Sequence, residues 1–392
     1  MNRDRINKLL NKVPTHVIII LTMIIWIVPT LGLLVTSLRP PEAVRNTGWW
    51  TVFSATDAGG PYVQYCAECH GADGSAIPQA DLTNPEVIAQ YPRSLQLLAM
   101  LRQDINGQPH MGDNPLPSAQ EAAEIAAYLR QGEQTTSAFT FNNYIDALVG
   151  YRGESTYRTD CAAGTQPPDL ACNLSDILNP RGMGRAFVNS LLVTIPATFL
   201  PILFAAFAGY AFAWLDFKGR FLLFALLVGL QVVPLQMTLV PISRFYAQAG
   251  LNGTFLGVWL FHTGFGMPYA IYLMRNFLGT LPKDLFESAY LDGASHWTAF
   301  RQLVIPLAMP AIASLGIFQF LWVWNDLLVA LVFLGGTTPV MTYQISNMVT
   351  SLGSGWQVLT AAAFLSMLLP MIVFFSLQRY FVRGMLAGAV KG

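Results

Sequence analysis

Charge is what this chain of 392 residues has least of: Asp, Glu, Lys and Arg make up 11% of it, against 53% hydrophobic residues. Soluble globular chains carry about 25% charged residues, so the balance points to lipid. The 22 basic and 22 acidic residues cancel, which argues against nucleic acid as a partner. No G-x-x-x-x-G-K-[ST] segment occurs. The chain therefore has no such loop to cradle nucleotide phosphates, is not expected to be an enzyme, and leaves any ATP hydrolysis to a partner chain. Histidine (5) and cysteine (4) are scarce. His262 has no second intramembrane histidine with which to hold a haem between spans, and reads as a packing residue.

Six apolar runs approach the ~20 residues that cross a bilayer: 16–38, 186–215, 221–242, 255–277, 307–333 and 357–377. The first is too long for a signal-peptide core and lacks a clear cleavage site, so it reads as an uncleaved span. Arg3, Arg5, Lys8 and Lys12 precede it, Lys218 and Arg220 lie between the second and third runs, and Arg379, Arg383 and Lys391 follow the last. Lys and Arg mark the cytoplasmic side, which puts both termini inside and the long segment 39–185 outside. Within 55–136 there are ten acidic and three basic residues, leaving twelve acidic and nineteen basic elsewhere. An acidic block is embedded in a basic membrane protein, and such halves usually have separate environments.

That block contains QYCAECHGADG. Cys66 and Cys69 stand two residues apart and His70 follows at once. This is the C-x-x-C-H spacing of covalent haem c attachment: two thiols for the vinyl groups and an imidazole for the iron. The competing readings are a zinc half-site, a redox pair and a plain disulfide. Zinc would need a second ligand pair, and Cys161 and Cys172 are not spaced as one. In an oxidising external loop those two form a local disulfide by default. The residues 57–71 read as a helix ending at the haem. The residues 118–131 read as a second helix with a capping box at Ser118 and Glu121, and Leu95, Leu97, Leu98, Met100 and Leu101 as the apolar side of a middle helix. By chemistry alone either Met111 or His110 can be the sixth ligand. CAECHGADG, IPQADL, the Met111 loop and the closing helix resemble the class I c-type cytochromes, and the resemblance implies Met111 as the distal ligand. The acidic surface would favour a basic redox partner.

The other strong signal is LPKDLFESAYLDGASHWTAFRQLVIPLAMPAI at 281–312. Residues 283–291 read as a short amphipathic helix, Gly293 permits a turn, and a second helical stretch leads to Pro306. Such an elbow suits a lever gripped by a soluble partner. The pattern Glu287-Ser288-Ala289, Asp292-Gly293-Ala294 and Ile305-Pro306-Leu307 resembles the coupling motif of permease subunits of binding-protein-dependent ABC importers, with Ser288 where the family usually has Ala. Asn189-Ser190-Leu191, WVWNDLLVAL at 322–331 and the tail QRYFVRGMLAGAVKG at 378–392 resemble the carbohydrate branch, the maltose and alpha-glucoside permeases. The resemblance implies an all-α fold: a six-span polytopic membrane bundle with a small α-helical cytochrome c inserted in its first periplasmic loop.

The domains expected are 1–54 (tail, first span and loop start), 55–136 (inserted cytochrome), 137–185 (rest of the loop) and 186–392 (permease core with coupling loop 281–306). The segments 48–54 and 139–148 are expected to sit close together at the insertion point. The resemblance further implies a second permease subunit, an ATP-binding cassette ATPase dimer gripping the elbow, a periplasmic solute-binding protein, and residence among the lipids of a bacterial inner membrane. Asn325 and Asp326 read either as part of a transport pathway or as a helix end at the interface. Gln231, Gln236 and Gln319 either line that pathway or bond across helices. The competing function is a membrane-anchored c-type cytochrome that carries electrons in a respiratory complex.

Overall fold

A computed structural model of the chain describes residues 13–46, 48–52, 59–70, 82, 94–102, 104–105, 108–109, 115–119, 121–122, 125–126, 139–153, 156–165, 168–348 and 355–389. These fall into two compact units. One comprises 1–146, 152–165 and 352–361; the other comprises 147–151, 166–351 and 362–392.

In the first unit, helix α1 spans Val13–Leu38. It carries no charged residue, and the hydroxyls of Thr22, Thr30 and Thr36 donate to the carbonyls of Ile18, Trp26 and Gly32 one turn back, so the helix presents an apolar exterior suited to lipid. A short helix α2 (Pro41–Asn46) and a 3-10 turn (Trp49–Val52) follow. A Cβ on Gly32 would meet the Trp49 indole at 2.8 Å, so that ring lies directly on α1. The returning strand of chain docks on the same end of α1. Thr140 donates its N–H to Leu38 O at 2.5 Å, and Asn143 Nδ2 donates to Ser37 O (2.9 Å) and Arg39 O (2.7 Å).

Between these two flanks lie α3 (Gly59–Tyr65), α4 (Ala67–His70) and α5 (Ser94–Leu101). A pair of two-residue strands, Asp104–Ile105 and Gln108–Pro109, runs antiparallel. This is a small departure from the all-α expectation. The expected helix over 57–71 is interrupted at Cys66, where α3 ends and α4 begins. Beyond 139 come α6 (Asn142–Val149) and α7 (Tyr157–Ala163), the latter capped by Thr156, whose side chain accepts from Thr159 N.

The second unit begins with a 3-10 turn, Leu174–Leu178, closed by a reciprocal capping box between Asn173 and Asp176. Then follow α8 (Met183–Trp214), α9 (Arg220–Leu230), α10 (Leu235–Gln248), α11 (Phe255–Leu278), α12 (Lys283–Leu291) and α13 (His296–Ala299). A π-helical turn over Phe300–Val304 leads into α14 (Ile305–Trp324), α15 (Leu328–Phe333), α16 (Met341–Met348) and α17 (Trp356–Ala389).

Among the described residues four helices are long and apolar enough to cross a membrane: Pro14–Leu38, Met183–Trp214, His296–Trp324 and Trp356–Arg379. The bent pair Arg220–Val232 and Leu235–Gln248 makes a fifth if counted as one span. Three expectations change. The run 221–242 is not one straight span; it breaks with a 99° bend. Pro234 has no N–H and disfavours helical backbone at Val233, and Gln231, Val232 and Val233 close the end of α9 with N–H bonds to the carbonyls three residues back. The run 255–277 does form a 24-residue helix, α11. It falls outside the apolar set, with His262, Thr263, Pro268 and several Gly and Tyr residues in its length; α11 packs in the bundle interior against α8 and α14, where lipid-like apolarity is not required. The run 307–333 stops at Trp324 and restarts at Leu328.

Two apolar cores hold this unit. One gathers Val193, Val258, Phe261, Val329 and Phe333; the other gathers Tyr210, Met274, Phe286, Phe300 and Leu315. Gly209 lets α8 and α11 touch, since a Cβ there would meet Met274 Cγ at 2.8 Å. Gln319 spans from α14 to the Ala197 carbonyl of α8 at 3.2 Å, so it bonds across helices.

Candidate functional site

The elbow 282–304 is built from capping chemistry. Helix α12 ends in a Schellman motif: Ala294 N–H donates to Ala289 O (2.9 Å) and Gly293 N–H to Tyr290 O (3.0 Å). That motif needs left-handed backbone at its pivot, and Gly293 supplies it with φ +84°. Ser295 then caps α13 by accepting from Thr298 N. One face of α12 is anchored. Phe286 is fully buried and stacks on Trp214, with centroids 3.9 Å apart. The Trp214 indole N–H in turn donates to Leu278 O at 3.1 Å. The Tyr210, Tyr290 and His296 side chains converge, with the two hydroxyls 2.9 Å apart and His296 Nδ1 3.3 and 3.1 Å from them. The opposite face is open. Glu287, Ser288, Asp292 and Gly293 are exposed, Ala289 and Ala294 are half-buried, and Leu291 stands 89% exposed at the tip. All six expected coupling residues thus lie on one short elbow.

A second cluster sits inside the bundle. Asn189 Nδ2 donates to Pro339 O, and Ser190 Oγ accepts from Met341 N, each at 2.8 Å. These two residues, near the start of α8, clamp the segment before α16. Asn325 ends α14 and donates to Leu321 O (2.8 Å). Asp326 Oδ2 accepts from Val329 N (2.9 Å), and Thr342 Oγ1 donates to Asp326 O (2.9 Å). The carboxylate therefore satisfies a free N–H in the first turn of α15 from the residue before its N-cap. It also faces His262, whose Nε2 lies 3.9 Å from Asp326 Oδ2. That pairing was not readable from the sequence. His262 and Asp326 come from different runs, and only the packing of α11 beside the α14–α15 break brings them together.

In the first unit, Tyr62, Cys66, Leu97, Leu98, Leu101, Ala122, Ile125 and Ala126 form one apolar cluster, with Tyr65, Ala67, Leu82 and Met100 packed on it. The expected capping box is present: Ser118 N–H donates to Glu121 Oε2 (2.8 Å), and Glu121 N–H to Ser118 Oγ (3.2 Å). Tyr65, next to the first cysteine, donates to Glu121 Oε1 at 3.2 Å. These bonds to Ser118 hold the Glu121 carboxyl below the usual range. Cys66 is buried and Cys69 exposed, and both are free thiols, whereas Cys161 and Cys172 are disulfide-bonded. Burial, and then Cys69, push the Cys66 thiol up to about 11. A thiol held protonated is a poor metal ligand, which counts against a zinc half-site at Cys66. Among the described residues no three His, Cys, Asp or Glu side chains gather as a metal site. His110, Met111, Tyr128 and most of the closing helix lie outside the described residues.

Long apolar helices packed around α11, with a capped elbow projecting from them, define a polytopic membrane component of a transport system. Residues 187–387 match the family model described as binding-protein-dependent transport system inner membrane component, and the chain belongs to that family. Among its relatives, the "Osmoprotective compounds uptake permease protein GgtD" of Synechocystis is 43% identical over 392 residues, covering 100% of this chain and 96% of the relative. The "Alpha-glucoside transport system permease protein AglG" of Rhizobium meliloti is 41% identical over 387 residues, 96% of each chain. The "Melibiose/raffinose/stachyose import permease protein MelC" of Bacillus subtilis is 31% identical over 229 residues, 58% of this chain and 83% of the relative. Residues 54–129 match a second family model, cytochrome C oxidase, cbb3-type, subunit III. The alignment to GgtD runs the whole length of the chain, the segment carrying Cys66 and Cys69 included.

Proposed function

We propose that this chain is the permease subunit of an ABC importer for a carbohydrate or carbohydrate-like osmolyte. The observation that carries the reading is the elbow: an α12 whose inner face is locked through Phe286 and Tyr290 while its outer face offers Leu291, Glu287 and Asp292 to a partner. A rigid lever of this kind transmits a push on its exposed face to α8 through Trp214 and Tyr210 and to α13 through His296. The pushing partner is an ATPase dimer, paired across a second permease subunit, with a solute-binding protein delivering substrate from outside. The names of the full-length relatives support the solute class. Six crossings follow if the bent α9–α10 pair and the interior α11 each count as one. Both termini are then cytoplasmic, the elbow faces the ATPase, and residues 55–136 face the periplasm.

On the same reading that segment holds haem c through Cys66 and Cys69, with His70 on the iron and Met111 as distal ligand. When bound, the haem supplies one-electron chemistry. The chain's own residues seat it: Leu97, Leu98 and Leu101 exclude water beside Cys66, and Tyr65 ties its helix to Glu121. The test is reconstitution with the ATPase, the second permease and the binding protein. Solute-loaded binding protein should stimulate ATP hydrolysis and uptake, and Gly293→Pro should uncouple the two. Coupled uptake surviving in that variant would remove the lever.

A further inference from the structure

The polar junction inside the bundle contains more than a satisfied helix end. Ser190, Thr194, His262, Trp324 and Asp326 line a cavity of about 10 Å3, room for one water. His262 is 1% exposed, and its Nδ1 has no hydrogen-bond partner among the described residues. Its Nε2 stops 3.9 Å from Asp326 Oδ2, too far for a direct hydrogen bond and the right separation for one bridging oxygen. Ser190 Oγ accepts from Met341 N, which leaves its own proton free to donate. Trp322 stands edge-on to the imidazole, with centroids 5.1 Å apart, and Trp324 forms part of the wall.

A carboxylate, an imidazole, two hydroxyls and one indole around one oxygen-sized space form a donor and acceptor set suited to an alcohol. A purely structural cluster would close the last gap; this one stops an oxygen short. The residues also come from α8, α11 and the α14–α15 break, helices whose relative movement would widen the space. We propose that Ser190, Thr194, His262 and Asp326 form a hydroxyl-recognition subsite in the membrane, holding a water in the closed bundle and a hydroxyl of the transported solute when the bundle opens. This deepens the carbohydrate-importer reading and rests on it.

The test uses the reconstituted transporter with its binding protein saturated by methyl α-D-glucoside or by each of its mono-deoxy analogues. Uptake per ATP hydrolysed is compared between sugar and analogue. Wild-type protein should discriminate against at least one analogue. His262→Gln and the near-isosteric Thr194→Val should each cut that discrimination about tenfold, the worth of one good hydrogen bond to a polar site. Discrimination as strong in both variants as in wild type would reduce the cluster to a structural water and overturn the subsite. Equal loss of uptake for sugar and every analogue would overturn it as well, since that is what a packing defect does. Wild-type protein that moves no carbohydrate at all would overturn the carbohydrate reading itself.

Discussion

The elbow and the cysteine-bearing segment are both exposed features of this chain, and they are incomplete in opposite ways. The elbow satisfies its own backbone: Gly293 ends α12, Ser295 starts α13, and Phe286 and Tyr290 fix the angle. What remains over is on the outside, where Leu291 and Leu285 project into solvent. The cysteine segment has its surplus inside. Among the described residues, three short helical pieces meet around Cys66. One region is finished and waits for a protein to dock on it. On the proposed reading, haem would complete the other from within.

The largest expected effect breaks this contrast at its inner end. Cys66→Ser combined with Cys69→Ser should abolish covalently retained haem on denaturing gels, from clear staining to none, while elbow-dependent binding of the ATPase persists. Wild-type protein without retained haem would sink the prosthetic-group half of the comparison. Next comes the outer end. Leu291→Glu should weaken co-purification of the ATPase subunit roughly tenfold or more, the usual cost of losing an apolar anchor at an interface, with haem staining intact. Binding at wild-type strength would show that Leu291 is not a docking knob. A smaller effect should follow from Gly293→Ala. Open space surrounds that position, so only its φ of +84° opposes a side chain, costing about 1 kcal/mol. A few-fold loss in uptake per ATP, with the ATPase still bound, is the expected result; equal coupling would place the lever's rigidity elsewhere.

The elbow was legible in the sequence almost to the residue. Residues 283–291 show helical spacing of Leu285, Phe286, Ala289 and Tyr290, and a glycine stands where the left-handed turn falls. Local chemistry decides such an element, so local reading finds it. The capping box at Ser118 and Glu121 was legible for the same reason. The break in the third span was not. The run 221–242 is apolar apart from Gln231, Gln236 and Thr238, and composition cannot distinguish a straight crossing from two helices at 99°; Pro234 was the clue. The pairing of His262 with Asp326 was hidden more deeply. His262 reads as packing and Asp326 as either a pathway residue or a helix end, and the structure sets the two side chains 3.9 Å apart by bringing α11 beside the break. Non-local packing carries that information, and no spacing rule reaches it.

The smallest expected effect lies just beyond the cysteine-bearing segment and depends on pH. Asp146 is 2% exposed in the segment that returns to α1, and its Oδ1 accepts the Tyr157 N–H at 2.9 Å. Burial, with Asp160 adding like charge, pushes its carboxyl up to about 7 despite that bond, whereas an unfolded Asp titrates near ~3.9. Between those values the folded protein holds a proton that the unfolded chain has lost, so stability falls as pH rises through that window and levels off above it. The returning segment should therefore resist limited proteolysis better at pH 5 than at pH 8. Asp146→Asn keeps an acceptor for Tyr157 and carries no charge, so it should remove most of the difference and protect the segment at pH 8. Equal protection at both pH values in wild-type protein would mean that this carboxyl is ionised in the fold at both, and a variant that opens more readily at pH 8 would mean that its charge contributes with the opposite sign.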